Sequence, residues 1–312
     1  MSSVVFMGSP DFAVKSLEAL ISSETYTVKL VVSQEDKPQG RHQVLTPTPV
    51  KQVALQCGIE VYQPKSLRTD EAFDKISSLA PDFIVVSAYG KILPQNILDI
   101  PKYGCVNLHG SLLPKYRGAA PIQWSVINGD KITGVTSMLM NAGLDTGDIL
   151  FTSETAIGEN ETAGELFDRL AEMCPELLIK TLDALKNGTA VPVKQNDDKA
   201  TYVSVLSKDM AVIDWNESAF AVHNKVRGFN PWPVAKTSLN GKTLKIYSGH
   251  PFEKNHSFVS GTAASEKNGI FVYCGNNTVF EISELQLEGS KRMSASDFLR
   301  GHTVDNNTVL GN

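Results

Sequence analysis

The run Phe83-Ile84-Val85-Val86 is apolar at every position and ends in Ser87, the pattern of a short strand covered on both faces rather than of a helix with one wet side. Comparable runs predict strands at 3–8, 27–33 and 104–108. Between them, apolar residues recur at three- and four-residue intervals, predicting helices over 12–21, 49–56 and 71–79. This alternation implies an α/β fold: a Rossmann-like, doubly wound, mainly parallel sheet. Residues 161–186 carry Leu166, Leu170, Met173, Leu177, Leu178, Leu182 and Leu185 at helical spacing, a core-packing helix ended by Asn187-Gly188.

The pattern then changes. Residues 189–208 hold Pro192, Gln195, Asn196, Asp197, Asp198 and Lys199 without periodicity and read as a linker wrapped over the surface. Beyond it come a short helix from Asp214 to about Val226 and short strands at 243–247, 258–262, 269–274 and 278–282, separated by Asn-Gly and Gly-Asn-Asn turns. Such a series predicts a small all-β, OB-fold-like barrel. The expected domains are therefore 1–188, a linker at 189–208, and 209–312.

With 312 residues, 42% hydrophobic and 20% charged, the chain is long enough for two ordinary cores. The start of the chain shows no basic segment followed by an apolar stretch, so no secretion signal or membrane partner is expected and a cytoplasmic location is. The cysteines, Cys57, Cys105, Cys174 and Cys274, are far apart and form no ligand motif, so no metal is expected. The pattern shows no excess apolar surface, and a monomer is the expectation. The net charge of −5 is unevenly spread. No acidic residue lies between Glu217 and Glu253, a stretch holding Lys225, Arg227, Lys236, Lys242 and Lys245. The same holds between Asp99 and Asp130, where Lys102, Lys115 and Arg117 lie. Two acid-free basic segments could line a path for a polyanion.

Candidate chemistry sits at residues 105–118, CVNLHGSLLPKYRG. Alternation along the strand puts Asn107 and His109 on one face and Val106 and Leu108 on the other. An amide and an imidazole thus project together where the strand stops, at the edge where open parallel sheets bind ligands. A buried pair satisfied by backbone groups is the alternative. The loop 141–148, NAGLDTGD, adds two carboxylates after a predicted strand at 134–140. Asp148 suits a turn former better than Asp145 does. A parallel neighbour strand would bring this loop beside His109, where a carboxylate orients an imidazole. The first strand leads into Gly8-Ser9-Pro10-Asp11, without the G-x-G-x-x-G of dinucleotide binding. A nicotinamide dehydrogenase is therefore a poor reading.

The run SLLPKYRGAAPIQWSVINGD, preceded by Asn107-Leu108-His109-Gly110 and followed by GLDTGD at 143–148, resembles the folate-dependent formyltransferases. The resemblance extends from Val5 to Gly301. It implies 10-formyltetrahydrofolate as donor and methionine-charged initiator tRNA as acceptor, with Asn107, His109 and Asp145 as the catalytic set. It places Ser111, Leu112, Leu113 and Pro114 in the folate pocket, with Tyr89 and Gly90 as a further wall. It also implies tRNA contacts from the loop 34–51, where Arg41 and His42 lie, and from Lys225, Arg227, Lys242 and Lys245 of the second domain. Gln43 and Val44 stand where the family often has lysines, which implies fewer phosphate contacts there. Amino-sugar acceptors are the rival within the same family. The aromatics Phe229, Trp232 and Tyr247 beside prolines read as packing anchors rather than base-stacking platforms.

Overall fold

The computed structural model describes residues 1–39, 43–266, 269–305 and 308–311. They divide into two compact units: Met1–Ala119 with Thr133–Thr155 and Phe167–Val203, and Ala120–Ile132 with Ala156–Leu166 and Ser204–Asn312. The second therefore takes in two pieces of chain that lie well before residue 209. The stretch expected as a linker is divided as well, its first fifteen residues belonging to the first unit.

The first unit is built on a seven-stranded sheet in the order Ile149–Ala156, Ile132–Leu139, Cys105–His109, Phe83–Ser87, Ser2–Gly8, Tyr26–Val32, Val61–Tyr62. The last five strands in this order pair in parallel. Both Phe83–Ser87 and Cys105–His109 are buried at every residue, the first as its apolar run requires, the second with two polar side chains, Asn107 and His109, among its buried positions. One face of the sheet carries a single apolar cluster through Val5, Met7, Leu30, Val32, Ile84, Val86, Tyr89 and Cys105. Asn107 pairs with Val86 in register, so Asn107 and His109 continue that face to the end of the strand.

Expectation and structure part at the next strand. Ile132–Leu139 runs antiparallel to Cys105–His109, with His109 opposite Thr136 and Val106 opposite Leu139. The loop 141–148 thus departs beside the start of Cys105–His109, where the Met140 amide donates to the Cys105 carbonyl. It reaches His109 by folding back over the sheet face, not by emerging from a parallel neighbour.

The long helix occupies Ala163–Lys186, slightly shorter than expected. A capping box opens it: Thr162 Oγ1 accepts from the Glu165 amide at 3.2 Å while Glu165 Oε2 accepts from the Thr162 amide at 2.8 Å. In the second unit, strands in the order Lys236–Leu239, Lys242–Glu253, Thr278–Leu287, Gly269–Cys274, Thr262–Glu266, Thr308–Val309 form a nearly closed antiparallel barrel. The strand expected at 258–262 lies instead at Thr262–Glu266. Phe258 precedes it and stacks on Tyr273 at 4.2 Å, so its apolar character serves a side-chain contact, not a strand.

Candidate active site

Three polar side chains converge at the end of Cys105–His109. His109 is 6% exposed and Asn107 8%. The His109 ring is fixed at one nitrogen: Nε2 lies 2.9 Å from the Tyr116 carbonyl oxygen. A carbonyl can only accept, so Nε2 carries a hydrogen and donates it. The other nitrogen, Nδ1, faces Asp145 Oδ2 at 3.8 Å. Asn107 forms no side-chain hydrogen bond among the described residues, which leaves its amide N–H free for a ligand.

The Asp145 carboxylate is held from behind by the Gly118 amide, which donates to Oδ2 at 2.8 Å. Asp145 and Tyr116 both take left-handed backbone conformations, φ +50° and +60°. Non-glycine residues seldom adopt these, and they concentrate where a site over-determines the chain. The turn is closed by Asn141, whose Oδ1 accepts from the Gly143 amide at 3.0 Å and from Thr146 Oγ1 at 2.7 Å.

The loop after His109 is braced by one side chain. Thr136 Oγ1 donates to the Ser111 carbonyl at 2.6 Å and accepts from the Leu113 amide at 3.1 Å. Ser111 Oγ donates to the Lys115 carbonyl at 2.6 Å. Leu113 is buried and Leu112 half-buried. Tyr89 packs into the apolar cluster on the same sheet face, its carbonyl accepting from Gln34 Nε2 at 2.7 Å. Its hydroxyl is buried without a partner among the described residues, and burial pushes its pKa up to about 12. Gly90 follows at φ +76°.

Two arginines expected near polyanions are committed elsewhere. Arg117 is 1% exposed; its guanidinium donates to Gln195 Oε1 twice, at 3.0 and 2.9 Å, to Tyr202 Oη at 2.9 Å, and pairs with Asp197 at 2.7 Å. Arg227, read from sequence as a tRNA contact, is 6% exposed. It donates to Asn224 Oδ1 and to the carbonyls of Gly158 and Glu161. A guanidinium with its donors saturated inside the second unit has none left for phosphate, and that expectation is corrected. Lys225 donates to the Val212 carbonyl at 2.9 Å, Lys242 is exposed, and Lys245 is half-buried opposite Lys236. Arg41 and His42 lie outside the described residues. Phe229 is buried against Trp124 and Ile127, as a packing anchor should be. Trp232 is exposed, and the Tyr247 ring lies beneath the Arg292 guanidinium at 4.3 Å.

Sequence reasoning missed Gln195. Nothing in a polar, aperiodic stretch marks one amide as buried; the only signal was its place in a segment too long to be featureless. Among the described residues no group of three or more His, Cys, Asp and Glu side chains is placed to hold a metal ion, and no helix is long and apolar enough to cross a membrane.

Comparison with known proteins finds similarity over nearly the whole chain. The family model described as formyl transferase matches residues 1–182, and that described as formyl transferase, C-terminal domain, matches 205–303. A methionyl-tRNA formyltransferase of Clostridium novyi is 48% identical over 309 residues, 98% of this chain and 99% of that protein. One from Acetivibrio thermocellus is 48% identical over 310 residues, 99% of each. Among solved structures, a sugar 3N-formyl transferase superposes with a TM-score of 0.66 at 20% identity, covering 93% of this chain and 99% of its own. HypX from Aquifex aeolicus gives 0.63 at 16%, covering 98% of this chain and 49% of its own. At those identities the solved structures speak for the fold alone.

Proposed function

The chain belongs to the formyl transferase family, and from that we propose that it moves the formyl group of 10-formyltetrahydrofolate onto the free α-amino group of methionine carried by initiator tRNA. The product is formylmethionyl-tRNA for the start of translation; we take the protein to work in the cytoplasm, a location that step supports, and its working unit to be a monomer. The observation that carries this reading is the meeting of His109 and Asp145 at 3.8 Å beside Asn107, in a chain nearly half identical to proteins that bear that activity in their names.

The neutral amine attacks the formyl carbon, the carbonyl π pair moves to oxygen, and a tetrahedral species with a negative oxygen results. Its collapse breaks the bond from carbon to the folate nitrogen, which takes up a proton as it leaves. In our reading the Asn107 amide and His109, when Nδ1 carries a proton, donate to that oxygen, and Asp145 orients the imidazole by its charge and relays the amine's proton. Because Nε2 is occupied by Tyr116, Nδ1 is the nitrogen left for this work. Its separation from Asp145 exceeds a hydrogen bond, so in this geometry the carboxylate acts on the imidazole through its charge.

A folate donor suits what surrounds these groups. The pterin needs apolar walls and a few fixed polar groups. Residues Ser111, Leu112, Leu113 and Pro114, together with Tyr89 and Gly90, would supply the walls, and backbone groups of the 111–114 loop the polar contacts. Lys225, Lys242 and Lys245, with Arg41 and His42, are the proposed phosphate contacts.

The test is direct. The purified chain, 10-formyltetrahydrofolate and methionine-charged initiator tRNA are incubated and formylmethionine is measured. Formyl transfer to the tRNA is expected; transfer to a nucleotide-linked amino sugar in its place would overturn the acceptor.

A further inference from the structure

We propose that Gln195 is a positioning residue that holds Asp145 toward His109, an inference that rests on the catalytic reading above. A single amide nitrogen, Gln195 Nε2, donates both its hydrogens to the turn carrying the carboxylate: to the Asp145 carbonyl at 2.8 Å and to the Gly147 carbonyl at 2.7 Å. Its oxygen accepts twice from the Arg117 guanidinium. The orientation is forced, because a flipped amide would set its oxygen against two carbonyls and its hydrogens against guanidinium donors. Gln195 is 6% exposed, so these bonds meet little competition from water.

The same stretch of chain holds the carboxylate from its other side. Arg117–Gly118 pairs in parallel with Tyr202–Val203, and Gly118 supplies the amide bonded to Asp145 Oδ2. Gln195 thus secures the backbone of Asp145 while residues 202–203 secure the donor to its side chain. All of it lies within the first unit. Residues 195–203 are a bracket for the catalytic turn rather than a tether. Buried and with both ends of its amide bonded, Gln195 ties the backbone of Asp145 and Gly147 to the Arg117 guanidinium.

Gln195→Ala and Gln195→Glu test this. Both remove the two N–H donors; the glutamate keeps the side chain's size and its pairing with Arg117 but sets an oxygen against the two carbonyls, the alanine does not, and melting curves on both separate a fold defect from a donor defect. In both variants kcat for formyl transfer is expected to fall about tenfold or more, since small misplacements of a reacting group cost factors of that order. KM for either substrate should stay within about threefold, and amide hydrogen exchange should speed up in residues 141–148 while the strands Ser2–Gly8 and Phe83–Ser87 stay protected. Wild-type kcat, a rise in KM matching the loss, or unchanged exchange in 141–148 would overturn the proposal. The exchange result needs no acceptor, so it stands or falls apart from the identity of the reaction. Absence of transfer in the wild-type chain would instead sink the catalytic reading.

Discussion

Asp145 Oδ2 faces His109 Nδ1 at 3.8 Å while accepting the Gly118 amide at 2.8 Å, so the carboxylate is fixed by backbone before it meets the imidazole. This division of labour makes the two side chains separable by substitution. On the proposed mechanism His109→Ala removes a donor to the developing oxyanion, and Asp145→Asn leaves the packing but removes the charge. Each is expected to lower kcat about a hundredfold or more, with the circular dichroism spectrum and melting temperature close to wild type. Steady-state formylation with matched melting curves checks it, and a loss confined to KM would point to binding instead.

Arg227→Ala should destabilise the second unit rather than weaken phosphate contacts. The substitution deprives Asn224 Oδ1 and the carbonyls of Gly158 and Glu161 of their donor in a buried setting. We expect a loss of about 3 kcal/mol in chemical denaturation. The salt dependence of tRNA binding in the folded fraction should be unchanged, and a shallower slope would restore the arginine to the binding surface.

Lys242 and Lys245 give the opposite expectation. They lie on the barrel strand Lys242–Glu253, one exposed and one half-buried, with no ion pair among the described residues. Their replacement by alanine should each lower the slope of log binding constant against log salt by up to about one, with melting temperature unaffected. Filter binding across a salt series reads this directly.

His223 makes the second unit sensitive to acid. Burial holds its imidazole below the ordinary 6.5, the Arg227 and His250 charges push the same way, and the carbonyls of Glu159 and Gly249, 3.1 and 3.0 Å from its nitrogens, oppose them. Below pH 6.5 the unfolded chain takes up a proton that the folded chain refuses, so stability should drop as pH falls through 6.5 toward the folded value and level off beneath it. Melting curves between pH 5 and 8 should show this decline, flattened in His223→Gln.

How much of this was legible beforehand depended on what each residue is buried by. Phe83–Ser87 and Cys105–His109 were readable because apolar contacts bury them and alternation fixes their faces, which is why Asn107 and His109 could be paired from sequence. Gln195, Arg117 and Arg227 are buried by hydrogen bonds to partners far along the chain. A polar side chain in a polar stretch carries no local trace of such partners, so the arginines looked like surface charge and Gln195 like a linker. The antiparallel pairing of Ile132–Leu139 was hidden for a related reason. An apolar strand reads the same in both directions, and only the fold-back of 141–148 decides it.

Gly118 is where backbone geometry and catalysis meet, and Gly118→Ala tests both. Its φ of +102° lies where an L side chain is strained, and a Cβ there would sit 2.5 Å from the Val203 carbonyl oxygen. Because that contact is with backbone, relief requires Arg117–Gly118 to part from Tyr202–Val203, and the amide bonded to Asp145 moves with it. Gly241→Ala provides the control: φ +75° with nothing within 4 Å of the added carbon. That variant should lose about 1 kcal/mol from conformation alone and keep its kcat. Gly118→Ala should lose more than this in stability and, in molecules that remain folded, about tenfold or more in kcat. Equal kcat in the two variants would mean that the Gly118 amide does not govern the carboxylate, leaving Gln195 to hold Asp145 unaided.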